Sequence, residues 1–185
     1  MAGFYDKQIK NRNFLAPTGF RFSLIRAPKI AFFCNSANIP DIQLGTATQS
    51  SYLKDIDVPG DKLQFGDLNI KFLVDEDLKN YMELQNWMRG LGYPEKRQEI
   101  FDLQELAPRQ MIPSEVEMNI YSDASLLILT SNNNINFKVK FKGLFPTYLS
   151  TLEFDATDND VEYFTADATF KYTLYTITDE NDNAL

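Results

Sequence analysis

The stretch from Asp55 to Gly92, DIDVPGDKLQFGDLNIKFLVDEDLKNYMELQNWMRGLG, constrains the fold more than any other. Leu68, Ile70, Phe72 and Val74 alternate with Asn69, Lys71 and Leu73, the period of a strand with one buried face. Asp75 follows as an expected N-cap, with Glu76 and Asp77 where the helix dipole favours negative charge. Leu78, Tyr81, Leu84, Met88 and Leu91 then recur at helical spacing, and Gly90 or Gly92 can close the helix. A helix over 75–91, the one long helix expected, follows a strand directly. That order places a helix across one side of a β-structure.

The remaining chain reads mostly as strands. Residues 19–26 alternate, and residues 30–35 (IAFFCN) are expected to form a second strand, making a hairpin with the first. Residues 41–66 are expected to be a long loop, with Pro59-Gly60-Asp61 as a turn. Residues 93–114 read as an irregular insertion with at most a short helical turn. Strands are expected over 115–121 and 125–130, a hairpin turn over Ser131–Asn134, and strands over 135–142 and 161–177. A basic arm (1–17) and a frayed end (179–185) flank a single domain over 18–178. The expected fold is mainly β, a sandwich or small barrel with one α-helix packed on it.

Composition narrows function. The 185 residues contain no histidine and one cysteine. That removes the commonest general base, thiolate–imidazole zinc sites and Ser-His-Asp or Cys-His catalysis. Cys34 lies in an apolar run and reads as a buried, inert thiol. Carboxylate-only enzymes remain open, but nothing marks a pocket. Asp55, Asp57 and Asp61 lack the closing glutamate of a calcium loop, and no glycine-rich phosphate loop occurs. No apolar run is long enough for a membrane-spanning helix, and the first residues lack the apolar region of a secretory signal. The expectation is therefore no enzyme, no cofactor, no metal and no membrane.

The net charge of −8 is unevenly placed. Residues 1–30 carry six Lys/Arg and one acid, whereas residues 151–185 carry nine acids and one Lys. Either both ends are simply solvated, or they meet on different copies in a head-to-tail polymer. Lys138, Lys140 and Lys142 share a strand face, but the aromatics lie on the opposite one, so tight nucleic-acid binding is not expected. They read instead as facing a neighbour's acids or solvent.

Two blocks carry a family resemblance. The order of hydrophilic loop, V-P-G-D, alternating strand, acidic helix start and Trp-bearing helix resembles the tail tube protein family of T4-like contractile phages. So does KVKFKGLFPTYLSTLEFDATDNDVEYFTADATFKYTLY over 138–175. The type VI secretion tube fold is similar in architecture. The resemblance implies a virion structural protein, made in the bacterial cytoplasm, whose six-membered rings stack into a tube inside the sheath. Strands of neighbouring subunits would join into one barrel around a lumen that passes DNA. Its partners would be itself, the sheath protein and the baseplate or tube initiator. An initiator ring of the same fold and a ligand-binding β-sandwich module are the alternatives. The candidate ring–ring residues are Lys7, Lys10, Arg12, Phe14, Tyr52, Lys54, Ile56 and Val58. The candidate inter-subunit strand edges are Phe137, Lys138, Val139, Lys140, Asp167, Thr169 and Lys171.

Overall fold

The computed structural model describes residues 14–106, 120–154 and 163–184. In chain order the elements are β1 (Phe20–Leu24), α1 (Pro28–Phe32), β2 (Cys34–Ala37), β3 (Ile42–Gln49), β4 (Ile56–Phe65), β5 (Leu68–Leu73), α2 (Lys79–Gly92) and α3 (Gln98–Leu106). Then follow β6 (Ser122–Leu129), β7 (Ile135–Leu149), β8 (Thr165–Lys171) and β9 (Leu174–Asp179). The fold is mainly antiparallel β, as its alternating runs dictate.

Two sheets share one strand. The first runs β1-β6-β7-β9; the second runs β2-β5-β8 and ends on the later part of β7. β7 passes from one to the other at Gly143, whose φ is +65°. Val139 and Phe141 are buried before it, Leu144 and Pro146 after it, so the buried phase shifts by one residue there. A Cβ on Gly143 would stand 2.6 Å from Thr173 Oγ1, so only glycine fits the crossing.

Phe22, Leu24, Leu126 and Phe141 of the first sheet and Leu68, Ile70, Phe72 and Phe170 of the second form the core. α2 closes it with Leu84 and Trp87, the Trp87 ring lying 6.3 Å from that of Phe170. Trp87 donates its indole N–H to Ile120 O at 2.9 Å, which satisfies its only polar atom inside. The Arg26 guanidinium stacks over the same indole at 5.1 Å and donates to Leu103 O; burial lowers its pKa.

Several expectations are corrected. Residues 28–32 are helix, because Pro28 fits the first helical turn and Ile30 buries inward. The strand that follows pairs with β5 instead of β1, so no hairpin forms. Residues 41–66 are an ordered two-stranded sheet, and Pro59-Gly60-Asp61 lies within β4. α2 starts four residues later than expected: Asp75 belongs to a turn, and buried Asn80 holds the entry by accepting from the Asp75 and Tyr81 amides. Its Nδ2 donates to Leu73 O, tying the helix to β5.

The cap is Tyr93, in the left-handed region, not a glycine. Gly90 is needed elsewhere, since its Cβ would meet Leu103 at 2.8 Å where the nine-residue helix α3 packs on α2. The expected 161–177 strand bends at Tyr172-Thr173, opposite the Gly143 crossing, giving β8 and β9. The C-terminal residues fold into a turn with a Thr178–Ala184 bridge instead of fraying. The expected strand over 115–121 falls largely outside the described residues.

Candidate assembly surfaces

β3 and β4 form a hairpin that stands apart from both larger sheets. Its arms cross closely at one point: a Cβ on Gly60 would lie 2.6 Å from Gly45 O, where the register slips between Leu44 and Thr46. Two glycines and a bulge thus let Pro59 sit inside a strand. At the tip, Ser50 donates to Asp55, while Tyr52 and Leu53 are 100% and 90% exposed. The sequence-predicted Tyr52 and Lys54 therefore lie at the tip, and Ile56 and Val58 on the first residues of β4. Phe14 is also exposed, and Lys7, Lys10 and Arg12 lie outside the described residues.

The base of the hairpin is held by two tyrosines that bracket it. Tyr172 donates to Gly66 O at 2.9 Å, and Tyr175 donates to Pro40 O at 3.3 Å. These carbonyls lie on the two chain segments that enter and leave the hairpin. Phe65 packs on both rings, at 6.3 and 5.6 Å, and Phe141 lies beneath them. Burial, then Tyr175, Asp41 and Asp67, push the Tyr172 hydroxyl up to about 12.

The expected inter-subunit edges are not edges. Phe137, Lys138, Val139 and Lys140 lie in β7 between β6 and β9. Asp167, Thr169 and Lys171 lie in β8 between β5 and β7. Their length and alternation reflect central positions in which both flanks are already paired. The lysines also find acids within the chain: Lys138 and Lys140 each lie 2.9 Å from Asp182. Lys71 meets Asp167 at 3.5 Å, and Lys171 meets Asp67 at 3.4 Å.

The end strands of the first sheet are β1 and β9. Leu129 donates to Gly19 O and Ile25 donates to Asp123 O, so the odd-numbered backbone groups of β1 face β6. The amides of Phe20, Phe22 and Leu24 consequently face away from it. They face a groove of about 570 Å³ walled by β1, by Pro28, Ala31 and Phe32 of α1, and by Cys34. Phe32 stands at its lip, 83% exposed. Burial pushes the Cys34 thiol up to about 11, which leaves it protonated and unreactive at neutral pH. Sequence reasoning missed this groove because IAFFC reads equally as strand or helix, and strand order carries no local signal.

The second sheet has poorer ends. β2 is four residues long with a register slip, and the terminal part of β7 contains Pro146, which has no N–H.

A family profile described as phage tail tube protein matches residues 9–178. No curated protein sequence matches the chain significantly. Among solved structures, the chain is similar to the anti-feeding prophage tube-terminating cap at 17% identity and TM-score 0.62, over 97% of this chain and 99% of that one. It is similar to a chain of the PVC extracellular contractile injection system sheath–tube complex at 18% identity and TM-score 0.55, over 91% and 93% of the two chains. A chain of the anti-feeding prophage baseplate matches at 10% identity and TM-score 0.56, over 86% and 91%.

Proposed function

Because this chain belongs to the phage tail tube protein family, we propose that it is a non-enzymatic subunit whose copies close into rings, six to a ring, that stack into the tube of a contractile tail. The observation that carries this reading is the polarity of the first sheet. β1, β6, β7 and β9 alternate in direction, so β9 runs opposite to β1. A head-to-tail neighbour can therefore lay its β9 antiparallel along β1, in the groove beside α1, and continue the sheet without a change of pattern. Such a contact is heterologous and generates a ring where its rotation closes. It also consumes two strand ends that a soluble monomer would have to protect.

Stacking is assigned to the β3–β4 hairpin and to the N-terminal arm, through Lys7, Lys10, Arg12, Phe14, Tyr52, Lys54, Ile56 and Val58. The tube sits inside the sheath in the virion, is made in the bacterial cytoplasm, meets the baseplate or initiator at one end, and passes DNA through its lumen. A second reading, a ring that ends the tube, is raised by the end-to-end similarity to a tube-terminating cap.

Negative-stain microscopy of the purified protein tests both. Stacked rings are expected for a repeating subunit and single rings for a terminal one; monomers alone overturn the proposal. Phe32→Lys places a charge at the lip of the groove without touching the core, and is expected to leave a folded monomer that no longer forms rings.

A further inference from the structure

The outer face of the first sheet carries a basic strip. Register places Arg21 level with Leu127 and Lys138, and Lys140 and Lys142 follow on the same face of β7. Alternate residues of a strand stand about 6.8 Å apart, twice the roughly 3.4 Å axial spacing of phosphates along one strand of a duplex. Arg21 and Lys142 have no carboxylate partner among the described residues. Lys138 and Lys140 share Asp182, and nothing else of the chain's acids reaches them within bridging distance among the described residues.

Asp182 is placed by a built turn. The Asp179 carboxylate accepts from the Asn181 and Asn183 amides and from Asn183 Nδ2, at 2.9, 2.8 and 3.1 Å. Asp179 N donates to Asn183 O, and Asp182 takes a left-handed φ of +67°. Thr178 and Ala184 close the turn back on β9. One carboxylate is thus folded over two lysines by a segment that has no place in the core.

We propose that Arg21, Lys138, Lys140 and Lys142 form a latent strip for a nucleic-acid phosphate backbone, and that the C-terminal turn closes it through Asp182. The inference concerns the single subunit and does not depend on ring closure. Asp182 is about half exposed over lysines that are 18% and 35% exposed, and an ion pair at a surface is worth up to about a fivefold factor. Asp182 holds two, so its loss is expected to tighten phosphate binding about tenfold and to steepen its salt dependence.

The test is fluorescence anisotropy of a labelled short DNA duplex with the full chain at low salt. Asp182→Asn is expected to bind about tenfold more tightly than the native chain. Asp179→Ala, which loosens the turn but keeps the masking acid, is expected to give a smaller gain. Adding Lys140→Ala and Lys142→Ala to Asp182→Asn is expected to return binding to the native level. Three outcomes overturn the proposal: no gain in Asp182→Asn, a gain that survives removal of the lysines, or equal competition by polyglutamate, which would assign the strip to acidic protein instead. Ring formation by microscopy is read on the same samples, so a failure here is separable from a failure of the assembly reading.

Discussion

β8 and β3 are both strands, yet they live in opposite surroundings. In β8, Ala166, Ala168 and Phe170 are buried, and Trp87 of α2 packs on Phe170. In β3 all eight residues are exposed, Ile42 and Leu44 among them. β8 is paired on both flanks and covered on one face, whereas β3 has one partner and no cover. A two-stranded ribbon alone is marginal in water. The hairpin's apolar residues are thus surface that the subunit itself does not use, held at a fixed angle by tyrosines that belong to the body. The body is stabilised by what it buries, and the hairpin is suited to what it leaves open.

The sharpest break of this contrast is in the body. Phe141→Ala removes a fully buried ring that supports both tyrosines, and is expected to cost about 3–5 kcal/mol, read as a large fall in the denaturation midpoint. Gly60→Ala is expected to act inside the hairpin, where the new methyl meets Gly45 O. A cost of about 1–3 kcal/mol should appear as faster amide exchange over 42–65, with the body's midpoint nearly unchanged.

Tyr172→Phe and Tyr175→Phe are expected to cost about 0.5–1.5 kcal/mol each and to loosen the hairpin where it joins the body. Tyr172 also sets a pH dependence. Its folded pKa is raised to about 12, so its contribution is complete below the unfolded value near 10 and is lost as pH rises through about 12. A titration of hairpin exchange should show this loss in the native chain and not in Tyr172→Phe.

The smallest effect on the subunit is at the tip. Leu53→Ser and Tyr52→Ser should change stability by less than about 0.5 kcal/mol, yet rings of these variants are expected not to stack. Normal tubes would remove the hairpin from the ring–ring contact.

The same contrast explains what could be read from sequence. β5, the helical face of α2 at Leu84, and the Ser131–Asn134 turn were legible, because period and turn chemistry are local. Trp87 and Asn80 were missed as inward-facing: a Trp with its donor satisfied by Ile120 and an Asn that ties three backbone groups depend on distant partners. The β3–β4 hairpin was hidden because its strands bury almost nothing and so carry no hydrophobic alternation. The end strands β1 and β9 were hidden because strand order is a property of the whole chain. The long alternating runs point instead to β7 and β8, strands already paired on both flanks. Tyr52, Lys54 and Ile56, expected at a ring–ring contact, lie at the tip of this hairpin, although the polar stretch that carries them reads as a loop in sequence.

The crossing of β7 at Gly143 has a mechanical consequence. One strand is stitched into both sheets, so a pull that parts the sheets cannot open them like a zipper, one rung at a time. It stretches β7 along its own length, and the rungs on both of its flanks share the load. A wall built from such units resists prising far better than one whose two layers are joined by side chains alone, and a thrust along the wall is carried by backbone.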